Sequence, residues 1–205
     1  MKQKISPGGT AEPPCVSAII LAAGASTRMG KTKQLLPLGE RTILAQSLQT
    51  VRAAALDEII LVLGHDAGRI QSELPEPLLE GIRIVVNHEY GQGMATSLRA
   101  GLAAVSPGSS AALIMLGDQP FVRPETLQQI ACSNAEIAIP VCQGQRGNPV
   151  LLHRSLFAEA MRLEGDVGCR AIFSRHLGKI VNVEVEDQGV LLDIDDPSTY
   201  QRFRT

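Results

Sequence analysis

VSAIILAAGASTRMGKTKQLLPL, Val16 to Leu38, decides how the rest of the chain is read. It opens on an apolar run rich in β-branched residues, passes into the small residues Ala22, Ala23, Gly24 and Ala25, and continues as a loop carrying Arg28, Lys31 and Lys33. A strand, a loop without bulk and fixed cations are the parts of a phosphate site. Backbone N–H groups can turn onto an anion there while the cations supply countercharge. Gly30-Lys31-Thr32 imitates the end of a P-loop, but five residues separate Gly24 from Gly30 where that motif needs four. A long helix opening at Lys31 is also excluded, since Pro37 would remove one of its hydrogen bonds and clash with the preceding turn. No G-x-G-x-x-G follows the strand, so the dinucleotide fingerprint is missing as well.

Around this stretch the chain has the composition of a globular protein. With 205 residues, 44% of them hydrophobic and 20% charged, it is long enough for one good core and short for two, so one domain is expected over residues 16–205. Residues 1–15, with Pro7, Gly8, Gly9, Pro13 and Pro14, read as a flexible N-terminal tail. Nineteen basic against 21 acidic residues give a net charge of −2, and aromatics make up 3%, which argues against a nucleic-acid partner. Reading Val16 to Ala25 as the apolar part of a signal peptide would discard the first strand on cleavage, and no run approaches the roughly 18 apolar residues of a membrane span. Cys15, Cys132, Cys142 and Cys169 form no C-x-x-C pair. Reduced, mostly buried thiols in a cytoplasmic protein are the expectation, with no membrane partner.

Downstream, strand and helix patterns alternate. Thr42 to Ala54 has one apolar helical face through Ile43, Leu44, Leu48 and Val51; Met94 to Val105 and Pro124 to Ala131 also read as helices. Glu58 to Leu63, Ile82 to Val86, Ala111 to Leu116 and Ile137 to Val141 are short β-rich apolar runs, the pattern of strands covered on both faces. The fold class that follows is α/β, a three-layer, doubly wound, mostly parallel sheet, with ligands beyond the carboxyl ends of its strands. Residues 142–192 are less legible.

On that edge, Gly117-Asp118-Gln119-Pro120 follows the run ALIML and brings a carboxylate toward the Gly24 loop. A carboxylate beside a phosphate loop is what a Mg²⁺-nucleotide needs, although an Asp there also suits a turn or the cap of the next helix. Gly91 to Leu98 enters a helix through two glycines, which lets backbone approach a ligand, with Ser97 one turn in; an ordinary helix entry looks the same. Asp193 and Asp195 lie on one side of an extended segment and repel unless a cation joins them, and Mg²⁺ is the natural one. Asp196, before Pro197, can cap a helix by itself. Arg146 and Arg170 lie in turns, either solvated or facing an anion.

These motifs carry a family resemblance. Leu21-Ala22-Ala23-Gly24, Ser26, Arg28-Met29-Gly30, Lys33 and Leu35-Leu36-Pro37-Leu38 match LAAGxSxRMGxxKxLLPL, the signature of the nucleotidyltransferases related to the molybdenum-cofactor enzymes, the MobA-like NTP transferases. GDQP resembles their second motif, Arg146 to Val150 their RGxPV turn, Gly165 to Arg170 their GDxGxR turn, and Asp193 to Pro197 their DIDTP, with Asp196 where Thr is usual. The resemblance runs from about Val16 to about Tyr200 and implies a Rossmann-like nucleotidyltransferase fold. It implies transfer of CMP from CTP to a molybdopterin-type phosphate with release of pyrophosphate and Mg²⁺ as cofactor, the product passing to a molybdenum hydroxylase. Arg28 and Lys33 would hold the triphosphate, and Asp118 with Asp193 or Asp195 the metal. Leu21, Ala22, Ala23, Gly24, Ser26, Gly93 and Ser97 would take the nucleotide, and Arg146, Asp166 and Arg170 the pterin-phosphate acceptor. Three alternatives stay open: a guanylyl- or sugar-nucleotide transferase of the same fold, a dinucleotide-dependent reductase, and a non-catalytic cofactor carrier. His65, His88, His153 and His176 match no motif and read as structural or exposed.

Overall fold

A computed structural model describes residues 15–204. The N-terminal tail expected over residues 1–15 falls outside that range except for Cys15. The first strand, β1 (Val16–Leu21), is buried along nearly its whole length and lies in the interior of the main sheet. After it comes the signature loop, which contains two single 3-10 turns, Thr27–Met29 and Lys33–Leu35, and no long helix. Pro37 then enters a two-stranded hairpin, β2 (Pro37–Leu38) and β3 (Arg41–Thr42), as its effect on a helix requires. Helix α1 (Ile43–Ala53) starts where the Thr42 side chain accepts a hydrogen bond from Ala45 N.

The chain then alternates through β4 (Glu58–Leu63), α2 (Ala67–Glu73), α3 (Glu76–Leu79), β5 (Ile82–Val86), α4 (Met94–Ala104), β6 (Ala111–Leu116), α5 (Pro124–Ala131) and β7 (Ile137–Cys142). β8 (Gln145–Arg146), β9 (Val150–His153), α6 (Phe157–Ala160), β10 (Ile180–Glu184) and α7 (Pro197–Phe203) complete the order. The strands lie in the order β10-β7-β9-β6-β1-β4-β5, with β8 paired to β7. β1 runs parallel to both β4 and β6, β4 to β5, and β7 to β10. β9 is the exception, antiparallel to both β6 and β7.

Alternation along β1 serves two cores. Ala18 and Ile20 pack with Leu44, Leu48 and Val51 of α1 and Ile130 of α5, while Ile19 packs with Leu98 and Leu102 of α4 on the other face. A strand with both faces covered needs apolar residues at every position, and full burial of an Ile or Leu is worth roughly 1.5–3 kcal/mol. The three-layer, mostly parallel sheet expected from the apolar runs is the one observed. Its topological switch lies at β1, between β4 on one side and β6 on the other, so the crevice opens beyond the carboxyl ends of β1 and β6. Among the described residues no helix is long and apolar enough to cross a membrane.

Candidate active site

The cleft beyond β1 and β6 is lined by Leu21, Ala22, Ala23 and Gly24 from the first strand and its loop, and by Lys33 and Gln34. Asp118, Asp166 and Asp195 bring carboxylates to it, and Gly93 and Ser97 also line it. Its volume is about 260 Å³. Gly117 lets the walls approach: a Cβ there would lie 2.8 Å from the Ala22 methyl.

At the centre of the cleft, Lys33 Nζ donates to Asp118 Oδ2 at 2.6 Å and to Asp195 Oδ1 at 2.5 Å. Lys33 and Asp118 side chains are each only 14% exposed, so this is a largely desolvated pair. Burial pushes the Asp118 carboxyl above its ordinary range, against the pull of the adjacent ammonium. Burial works the same way on Asp195, but the Lys33 hydrogen bond and charge outweigh it and hold that carboxyl low. Burial also opposes the Lys33 charge, yet the two carboxylates raise its pKa above 10.5, and the lysine stays an ammonium. Asp118 keeps one buried oxygen, Oδ1, without a partner.

Asp193 and Asp195 diverge from the simple expectation of one cation between them. Lys33 takes Asp195, whereas Asp193 accepts from Gln119 Nε2 at 2.5 Å and burial raises its pKa. Fully buried Ile194 packs with Leu38 and Ile43, and its N–H donates to Asp118 O at 3.0 Å, which anchors the segment so that Asp195 lines the cleft while Asp193, expected there as a metal ligand, lies against Gln119 outside the cleft lining. Asp196 caps α7, accepting from Ser198 N and Thr199 N, so the departure from the DIDTP form keeps the cap and leaves the other two aspartates free of it. Among the described residues no group of three or more His, Cys, Asp or Glu converges as a complete metal cage. A pair of carboxylates is nevertheless the usual protein share of a Mg²⁺ site completed by phosphate and water, and the unpartnered Asp118 Oδ1 fits that hard-oxygen role.

The other predicted residues fall into two groups. Gly93, Ser97 and Asp166 meet at the cleft: Asp166 Oδ1 accepts from Met94 N at 3.2 Å and Gly165 O from Ala95 N at 3.1 Å, so the 165–166 turn caps α4. Gly93 has φ of +113°, and a Cβ there would collide with the Gly165 carbonyl at 2.3 Å. Ser97 Oγ is held by Asn87 Nδ2 at 3.0 Å. Arg28 stands on the rim, its side chain 78% exposed and 4.0 Å from Asp195. Ser26 points inward, with Oγ donating to Gln34 and accepting from Lys33 N, and supports the loop rather than facing the cleft.

Arg146 and Arg170 do not line the cleft. Arg146, on β8 beside β7, donates through Nε to Asn182 on β10, which also pairs with β7, and Arg170 Nη2 donates to Gly147 O and Asn148 Oδ1, so both guanidinium groups are committed to protein partners away from the cleft. Sequence reasoning missed Gln34, in the variable slot of the signature, Tyr90 and Met94, flanking the Gly91–Gly93 entry, and Asn87. The cysteines are all free, but only Cys142 and Cys169 are buried; Cys132 is exposed. Burial pushes the Cys169 thiol up to about 12, which leaves it chemically quiet.

A doubly wound sheet with a small-residue loop, a lysine and buried carboxylates at its switch point defines a nucleotide-handling α/β protein. Comparison with known proteins specifies the class. The MobA-like NTP transferase domain matches residues 18–180, and the chain belongs to that family of nucleotidyltransferases. It is 30% identical to nicotine blue oxidoreductase of Paenarthrobacter nicotinovorans, over 91% of this chain and 95% of that one. It is 28% identical to molybdenum cofactor cytidylyltransferase of Escherichia coli K12, over 90% and 93%. Rv0371c of Mycobacterium tuberculosis H37Rv, in complex with manganese, superposes with a TM-score of 0.75 at 32% identity, covering 92% of this chain and 97% of that one.

Proposed function

We propose that residues 16–205 act as one domain, a Mg²⁺-dependent cytidylyltransferase of the cytoplasm that moves CMP from CTP onto the phosphate of a molybdopterin-type cofactor. One observation carries the reading: a buried carboxylate with an unpartnered oxygen, Asp118, lies 2.6 Å from Lys33 in the same cleft as the Gly24 loop. An acceptor phosphate oxygen attacks the α-phosphorus while the bond to the bridging oxygen breaks, and the electron pair leaves with pyrophosphate. No protein nucleophile is needed, so the residues act by positioning and by countercharge.

Lys33, shared between Asp118 and Asp195, lies where the triphosphate arrives. Exchanging a carboxylate for phosphate oxygens keeps its charge paired and lets it follow the charge that builds on the leaving group. Arg28, exposed on the rim, pairs with the outer phosphates. Asp118 and Asp195 would hold Mg²⁺, with Asp193 as the orienting neighbour fixed by Gln119. The ion, when bound, neutralises charge across the α-phosphate and the pyrophosphate. Asp166, at the start of α4, faces the acceptor; Arg170 shapes the acceptor side by holding the 147–148 turn. A molybdenum hydroxylase consumes the product.

Base choice rests on Ala22 and Ala23, buried at the strand end. The related guanylyl enzymes carry a glycine here, in the LAGG form, which admits a purine close to the backbone; an added methyl suits cytosine. A methyl discriminates by only about 1–3 kcal/mol. Calorimetric titration of the four nucleoside triphosphates with Mg²⁺ tests the assignment. CTP should bind tightest, and Ala23→Gly should raise GTP relative to CTP. Equal or tighter GTP binding by the unmodified protein overturns the cytidylyl reading and leaves nucleotidyl transfer standing. The oxidoreductase among the relatives motivates a second reading, which oxidation of NADH or NADPH without pyrophosphate release would favour.

A further inference from the structure

Gln34 is a polar side chain of the cleft to which the motifs assign no role, and its hydrogen bonds all go to the signature loop. It is 3% exposed, and its Nε2 donates to Ala22 O and to Gly24 O, each at 3.0 Å. Both partners are carbonyls, so the amide nitrogen must face them and the amide orientation is fixed. Its Oε1 accepts from Ser26 Oγ at 3.2 Å, and Ser26 Oγ in turn accepts from Lys33 N at 3.3 Å. Between the two carbonyls that Gln34 holds, Ala23 O accepts from His65 N at 3.1 Å. Three successive carbonyls, those of Ala22, Ala23 and Gly24, are therefore drawn into the protein.

Within the described residues, none of the N–H groups of Ala23, Gly24 and Ala25 donates to protein. A loop whose carbonyls are committed and whose N–H groups are free is an anion cradle, and repulsion from an inward carbonyl is what would spoil it. We infer that Gln34 is a positioning residue for the triphosphate: it withdraws the carbonyls of the Gly24 loop so that the loop offers only donors, and through Ser26 it sets the backbone from which Lys33 reaches Asp118. The inference rests on the proposed nucleotidyl transfer for its ligand, a polyphosphate chain, and not on the choice of base or acceptor.

Inorganic tripolyphosphate, which has no base, is the probe, titrated by calorimetry into the unmodified protein, Gln34→Leu and Ser17→Ala. Ser17 is fully buried and hydrogen-bonded to Glu58 and Ser109 at the opposite end of β1, so its variant reports general loss of stability. Gln34→Leu should weaken tripolyphosphate roughly ten- to a hundredfold, the scale on which supporting hydrogen bonds act on a site, and raise KM for CTP. Ser17→Ala should lower Tm without that loss. Unchanged tripolyphosphate affinity in Gln34→Leu, an equal loss in Ser17→Ala, or no binding by the unmodified protein would each overturn the inference. Gln34-dependent tripolyphosphate binding without any pyrophosphate release from CTP would uphold it and sink the proposed reaction instead.

Discussion

Lys33 and Lys31 stand two positions apart and have opposite surroundings. Lys33 is enclosed by two carboxylates, whereas Lys31 lines a separate polar hollow with Thr32, His65, Asp66 and Arg69. Lys33→Ala should lower kcat by about a hundredfold or more, the scale of a lost electrostatic stabiliser, with circular dichroism unchanged; Lys31→Ala should cost little. A larger loss from Lys31→Ala would mean that the loop is aligned to the wrong lysine. Asp118→Asn keeps the side-chain shape and removes the charge, so it should abolish metal-dependent turnover in a folded protein; activity in EDTA comparable to that with Mg²⁺ would refute the role given to this residue. Such roles were only partly legible in the sequence. Lys33 meets Asp195 across 162 positions, a contact that no local pattern encodes, and Gln34 occupies a signature slot that any residue could fill as far as the motif tells.

At the scale of elements, the near-continuous apolar strands were the readable ones, although β5, whose run reads as covered on both faces, is an edge strand with no fully buried position. EIILVL and ALIML announce themselves because nearly every residue is apolar, and β4 and β6 lie over those runs. Helix α5 begins at Pro124 and α1 is capped by Thr42, both visible as residue types. β9 has four residues and runs against its neighbours, and β10 is an edge strand with mostly exposed positions; neither leaves a periodic trace. Short α2, with seven residues, is set by tertiary packing of Ala67 and Ile70 rather than by propensity.

The start of β4 offers a test far from the site. Glu58 accepts from Ser17 Oγ, Ser106 N and Ser106 Oγ and lies 3.2 Å from Arg83. Burial alone would raise its pKa, but these donors outweigh it and hold the carboxyl below its ordinary 4.5. A depressed folded pKa stabilises above the unfolded value and loses that contribution as pH falls through the folded one. From about pH 4.5 downward the unmodified protein should therefore lose unfolding free energy faster than Glu58→Gln, measured as urea midpoints over a pH series. Parallel curves would show that Glu58 is not ionised through this network.

For the whole molecule, the doubly wound architecture follows from alternating apolar strands and helices, and its consequence is placement. β1 and β6 are parallel neighbours and end together, so a loop at residue 24 and a carboxylate at residue 118 arrive at one crevice. The acceptor side is assembled differently: Arg146 on β8 is tied to Asn182 of β10, Arg170 holds the 147–148 turn, and of the three residues only Asp166 lines the cleft. The fold thus fixes the nucleotide half of the site more tightly than the acceptor half. The most direct measurement incubates the purified protein with CTP labelled at the α-phosphate, Mg²⁺ and a molybdopterin-type phosphate, and follows label and pyrophosphate together. The account predicts label joined to the acceptor with one pyrophosphate released per transfer, and neither in EDTA. Pyrophosphate-free turnover, or label that never leaves CTP while the acceptor is bound, would contradict it.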